Sequence, residues 1–276
     1  MELVRPESAA DAVAALGNGS VALGGGTELV PLLRDRIVEA EKLVDLRTAV
    51  PRGIDGTTIG AGTTLGELEI DPEIPAALRE ACRLSASPQL RAMGTIGGNL
   101  LQATRCWYWR LKFPCRLHGG DTCHARDGEQ REHAIFANDF CASAHPSDPA
   151  AALLALGATV RTDRRELPIA DLYRLPTEHD RSTTTLAIDE LILELEVSRP
   201  DASTYLKAMD RQRWSFALVG VAAARFGDEV RFGLAGVAPI PWADPENPTP
   251  LQGTAYKVEI LEALVVRARQ AVAKVS

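Results

Sequence analysis

The sequence predicts an α+β fold in two parts. Near the N-terminus a short apolar strand runs into a glycine-rich turn and then a segment with helical spacing of apolar residues. Beyond about residue 177, apolar residues alternate or run as they do in antiparallel sheets. Residues 258–275, VEILEALVVRARQAVAKV, then read as an amphipathic helix.

Residues 7–17 predict a short helix that Gly17 stops. Val21-Ala22-Leu23 is a strand leading into Gly24-Gly25-Gly26-Thr27-Glu28, and helical spacing resumes in LVPLLRDRI. KLVDL (42–46) and TTIGAGTTL (57–65) predict further strands, and residues 75–87 a helix. Gly94-Thr95-Ile96-Gly97-Gly98-Asn99 forms a second glycine turn. Residues 104–141 show no period of 2 or 3.6 and are rich in Arg, Gly, Cys and aromatics; a loop of that length inside a compact domain is usually functional. PSDPAAALLALGATVRT predicts a helix followed by a strand. LILELEV, STYLKAMD, FALVGVAAARF and VRFGLAGVAPIP are the strands of the second part, and the proline-rich WADPENPTPLQGT is a loop.

The 276 residues allow one to three domains, and 46% hydrophobic with 24% charged residues fits an ordinary globular chain. A net charge of −7 argues against a general nucleic-acid binder, which needs a basic face. No apolar run approaches the roughly 20 residues that span a bilayer. The segment MELVRPESAADAV has no basic patch followed by an apolar core, so no signal peptide is expected. The expected location is cytoplasmic, with export beside a signal-bearing partner as the other route.

Strand, glycine turn and helix together can cradle a phosphate, because the turn exposes backbone N–H groups and the helix N-terminus favours an anion. One such turn is weak evidence, since glycine often only supplies a positive φ. Two turns can hold a pyrophosphate from both sides. The first does not fit G-x-G-x-x-G, so the Rossmann fingerprint is not met.

Leu23-Gly24-Gly25-Gly26-Thr27-Glu28-Leu29, Gly94-Thr95-Ile96-Gly97-Gly98-Asn99-Leu100, His145-Pro146-Ser147-Asp148-Pro149-Ala150 and Tyr205-Leu206-Lys207 follow one another in that order. Over nearly its whole length the chain resembles the FAD-binding subunit of the xanthine dehydrogenase and carbon monoxide dehydrogenase family. The resemblance implies a two-lobed FAD-binding domain of the vanillyl-alcohol-oxidase type over residues 1–177, with a cysteine-rich insert at about 104–141. It implies a small flavoprotein C-terminal domain over residues 178–276, an antiparallel three-stranded sheet with helices. It also implies that Leu23, Gly24, Gly25, Gly26, Thr27, Glu28, Leu29 and Val30, with Thr95, Ile96, Gly97, Gly98 and Asn99, wrap the pyrophosphate of FAD. Asp148 is then expected to bind the ribose, Lys207 to contact the flavin, and Ile192 to pack near the isoalloxazine. On that reading Asp148→Ala weakens FAD binding by about 1–3 kcal/mol and leaves the fold intact.

Cys106, Cys115, Cys123 and Cys141 have the spacing C-x8-C-x7-C-x17-C, which can supply a tetrahedral thiolate site. Spacing leaves zinc, an iron–sulfur cluster and unpaired cysteines open, with zinc the commoner structural metal for four thiolates. His118, His124 and His133 are further candidate ligands on the zinc reading. The insert is similar to that of the branch containing bacterial periplasmic aldehyde oxidoreductases and, more distantly, 4-hydroxybenzoyl-CoA reductases. That resemblance implies a [4Fe–4S] cluster on the four cysteines. Arg105, Arg110, Lys112, Arg116 and Arg126 could offset its charge or form a solvated loop. Cys82, on a predicted helix, is expected to be a small core residue.

The family further implies a large molybdenum-cofactor subunit and a small subunit with two [2Fe–2S] centres. FAD would pass their electrons to an external acceptor, and this chain would not turn over organic substrate alone. The alternative is a non-redox assembly or binding module with a structural zinc site. Two departures stand out. Trp242 and Tyr256 are only 14 positions apart, so the C-terminal domain reads as trimmed, and Glu28 stands where the family commonly has Asp, Asn or Ser.

Overall fold

The structure, a computed structural model, describes residues 1–273. β1 (Glu2–Val4), β2 (Ser20–Leu23) and β3 (Lys42–Asp45) form a parallel sheet with β3 in the centre. Parallel neighbours need crossovers. The helices Ala9–Ala15 and Leu29–Arg34 supply them. Ser8 caps the first by accepting from the Asp11 amide, and Gly17, at φ +145°, turns the chain out of it.

β4 (Ile54–Asp55), β5 (Thr58–Gly60), β6 (Thr159–Thr162), β7 (Glu166–Pro168) and β8 (Ile192–Glu196) form an antiparallel sheet in the order β4-β5-β8-β6-β7. β8 lies beyond the expected domain boundary at residue 177, yet it is the central strand here. The alternation in LILELEV marks a strand but cannot say which sheet receives it.

β9 (Ala202–Met209), β10 (Ala217–Phe226) and β11 (Glu229–Ala235) form the antiparallel three-stranded sheet. The period of two divides β10 between two cores. Ala222 and Ala224 join the core beneath the helices Ala76–Leu84 and Asp148–Ala155, whereas Val219, Val221 and Ala223 pack under the helix Tyr256–Val272. Gly233 allows the close approach on the first side, because a Cβ there would stand 1.9 Å from the Ala151 carbonyl oxygen. Leu78, Ile96, Leu100, Leu153 and Leu156 are fully buried in that core. Each contributes about 1.5–3 kcal/mol of burial.

The helix expected over 258–275 runs Tyr256–Val272; Lys274 and Val275 lie outside the described residues. Between Trp242 and Tyr256 the chain is a loop with one 3-10 turn, Gln252–Thr254. Among the described residues no helix is long and apolar enough to cross a membrane.

Candidate functional site

β2 delivers Gly24 to Glu28 to the edge of the parallel sheet, ahead of the helix Leu29–Arg34. Only Gly26 of the three glycines has a positive φ, +73°. The other two are needed for proximity. A Cβ on Gly25 would lie 1.7 Å from the Met93 carbonyl oxygen, and one on Gly24 would lie 2.9 Å from Thr95 Oγ1. The two glycine segments, some seventy positions apart in sequence, therefore lie directly against each other. Among the described residues no protein acceptor takes the amides of Gly24, Gly25, Gly26 or Thr27. Partly buried backbone donors without partners are costly unless a ligand or water receives them.

The second segment differs from the expected turn. Thr95 caps a short helix, Ile96–Leu100, by accepting from the Gly98 amide at 3.2 Å. Gly97 donates to the Ala61 carbonyl at 3.0 Å, and a Cβ on it would stand 3.0 Å from the Ala61 side chain. Both glycine amides are thus already claimed. Their lack of side chains gives close packing on one side and an exposed surface at Gly98 on the other. Asn99 Oδ1 accepts from the hydroxyl of Ser147, which ties this helix to the PSDP segment.

Asp148 and Lys207 meet. Asp148 Oδ2 lies 2.7 Å from Lys207 Nζ, and both side chains are almost wholly buried. The same carboxylate accepts from the Tyr205 hydroxyl at 2.5 Å and from Ser85 at 3.2 Å, and Lys207 also donates to the Leu84 carbonyl at 3.0 Å. Burial and the neighbouring Asp148 carboxylate hold the Tyr205 phenol well above its ordinary pKa. Gly220 makes room for that phenol, since a Cβ there would be 2.1 Å from its oxygen. The two expected cofactor residues thus join the helix Asp148–Ala155 to β9. Tyr205, to which the sequence assigns no role of its own, stands two positions from Lys207 on the same face of one strand and completes this buried group. Ile192 opens β8 and is buried in the main core.

The four cysteines of the insert line one small cavity with Tyr108, Trp109, His124 and Ser143. Cys115 and Cys141 are buried, Cys106 and Cys123 partly so, and all four are free thiols. Burial pushes the Cys106 thiol up to about 11 and the Cys141 thiol up to about 12. His133 Nε2 is 3.2 Å from Cys106 Sγ, while His133 Nδ1 and His124 Nε2 are buried without a hydrogen-bond partner. Among the described residues no group of three or more His, Cys, Asp or Glu side chains is arranged to hold a metal ion. Cys82 is fully buried on the helix Ala76–Leu84, remote in sequence from this cavity, and burial raises its pKa.

Arginines hold the insert together. Arg116 donates to the Asp139 and Phe140 carbonyls, Arg126 to Asn138, and Arg181 to Arg116 and Gly120. Lys257 is fully buried and donates to the carbonyls of His133 and Gly236. A second cavity, of about 280 Å³, lies between Gln102, Thr104, His145 and Arg181 and shares Trp109, Leu117 and Ser143 with the cysteine cavity.

Residues 1–200 match the family described as the FAD binding domain in molybdopterin dehydrogenase. The chain belongs to this family of FAD-binding subunits of molybdenum hydroxylases. The aldehyde oxidoreductase FAD-binding subunit PaoB of Escherichia coli (strain K12) is 34% identical over 244 residues, which cover 81% of this chain and 76% of that one. The carbon monoxide dehydrogenase medium chain of Afipia carboxidovorans is 43% identical over 107 residues, 34% of this chain and 37% of that one. The fold is shared with a chain of the reconstituted CO dehydrogenase from Oligotropha carboxidovorans, at a TM-score of 0.69 and 23% identity, covering 98% of this chain and 96% of that chain. The family members to which the chain is similar are oxidoreductase components, and as a member it is an oxidoreductase subunit.

Proposed function

We propose that the chain is the electron-transfer flavoprotein subunit of a molybdenum-containing hydroxylase, working between [2Fe–2S] centres of a small partner subunit and an external acceptor. A large molybdenum-cofactor subunit would carry the substrate chemistry. The observation that carries this reading is the run of unclaimed amides at Gly24–Thr27, held against the second glycine segment in a chain of this family. Bound FAD supplies two-electron acceptance with one-electron release. Residues 23–30 and 95–99 would bind its pyrophosphate, with donation from the first segment and close packing from the second.

On this reading Asp148 and Lys207 serve the ribose and flavin from their shared buried pair, and Ile192 contributes backbone near the ring. The FAD-binding part would extend through β8 to about residue 200, with β9, β10, β11 and the helix Tyr256–Val272 as the C-terminal part. Cys106, Cys115, Cys123 and Cys141 would hold a [4Fe–4S] cluster. Four thiols facing one cavity in a loop without its own apolar period suit a ligand that binds each sulfur at a different iron. Tyr108 and Trp109, which line the cavity, would keep water from it.

The test is a visible spectrum of anaerobically purified chain, with FAD, iron, sulfide and zinc measured on the same sample. A yellow-brown protein with about one FAD and four iron per chain supports both parts. A colourless protein with one zinc overturns the flavoprotein reading and favours a zinc-stapled module. Flavin with zinc in place of iron removes the cluster alone.

A further inference from the structure

We propose that Glu28 is a positioning residue that couples occupancy of the first glycine loop to the order of the cysteine insert; this rests on the FAD reading above. Its side chain does not cap the helix Leu29–Arg34. Instead it reaches across to the head of the insert. Glu28 Oε1 accepts from Arg110 Nη2 at 2.5 Å, and Glu28 Oε2 lies 2.7 Å from Arg105 Nη2. The second contact is an ion pair whose geometry falls short of a hydrogen bond. Glu28 and Arg110 are each 18% exposed at the side chain and Arg105 33%, so solvent screens this group only in part.

The two arginines bracket Cys106. Arg105 precedes it, and Arg110 ends the one-turn helix Trp107–Arg110 that begins after it. Arg110 also donates to the Thr104 and Ala103 carbonyls, at 2.9 and 3.3 Å, and so closes the segment on itself. The Cys106 amide donates to Thr104 Oγ1 at 3.2 Å. Arg105 extends the contact to the β9–β10 loop, with its guanidinium 4.4 Å from the Phe216 ring centre. One carboxylate therefore joins the glycine loop, the first cysteine and a third segment of the chain.

Charge gives the coupling its direction. A lone carboxylate beside an anion-binding loop would repel a pyrophosphate. Two arginines on Glu28 turn that site into a net positive one. A bound pyrophosphate then favours the clamped arrangement, and by linkage the clamped insert favours the anion. The neutral amide introduced by Glu28→Gln keeps the loop backbone but cannot hold both guanidinium groups.

Hydrogen exchange of the full chain, stripped of flavin and then titrated with FAD, tests this. In wild type, saturating FAD should slow exchange in the peptide spanning residues 103–111 by about tenfold, a coupling of ordinary size. Glu28→Gln should bind FAD more weakly, by up to about tenfold as reciprocity requires, and at saturating FAD show less than about twofold change in that peptide. Arg110→Gln should behave alike, and the double variant no worse than either single, as one shared contact requires. Glu28→Asp, which keeps the charge but not the reach, should also lose most of the response and guards against a Gln variant that fails to fold. A full FAD-dependent response in Glu28→Gln, or none in wild type that binds FAD, overturns the clamp. Absence of FAD binding by wild type is read in the titration itself; it overturns the flavin reading and the clamp with it.

Discussion

The two glycine segments and the cysteine insert lie side by side and are built on opposite principles. The glycine segments hang from β2 and from the capped helix Ile96–Leu100, and their neighbours are backbone atoms at fixed positions, Met93 O and Ala61 O. The insert has one helical turn and one 3-10 turn, and long cationic side chains reaching for carbonyls hold the rest. The first region is shaped by backbone packing that only glycine permits. The second has few backbone ladders, and the arginine contacts that hold it carry high side-chain entropy.

The largest expected effect breaks the insert and spares the glycine segments. Cys106→Ser, or Ser at 115, 123 or 141, should abolish metal retention and leave FAD bound, as read by iron content and by the visible spectrum. A variant with full iron would remove that cysteine from the ligand set. Asp148→Ala comes next. Sequence reasoning expects only weaker FAD binding with the fold intact, but the structure makes Asp148 the partner of a buried ammonium. Loss of one member of such a pair costs about 3–5 kcal/mol, so urea unfolding should shift strongly even without flavin. An unchanged midpoint would mean that Lys207 finds another partner.

Gly25→Ala should cost about 1–3 kcal/mol by overpacking against Met93 and should part the two glycine segments. The readout is flavin content together with thermal unfolding; full flavin retention would show that the interlock is not needed. A smaller effect concerns Lys257, which links the insert to the C-terminal sheet. Burial brings its pKa down to about 7 from 10.5. The unfolded chain then binds more protons between those values, so this residue makes stability rise with pH from about 7 to about 10.5. Lys257→Met should flatten that rise in urea titrations at several pH values, and an identical slope would refute the assignment. The smallest effect is at Cys82. Cys82→Ala should cost about 1 kcal/mol or less and leave iron and flavin unchanged.

Much was legible because it rests on local rules. The helix Ala9–Ala15 behind Ser8, the strand Ser20–Leu23, the helix Asp148–Ala155 behind its cap and the three strands β9, β10 and β11 follow from capping and periodicity. The glycine-rich and cysteine-rich segments also announce themselves by composition, and the order of motifs points to the family. What the linear chain could not decide is which groups satisfy each other. Alternation in LILELEV does not reveal that β8 completes the sheet begun by β5. Asp148 and Lys207 read as two separate ligand contacts until packing places them 2.7 Å apart. Glu28 reads as a tolerated departure until folding sets two arginines on its carboxylate. Periodicity and caps are written in neighbours a few positions apart, whereas buried charge must find its counter-charge wherever the fold brings one within reach.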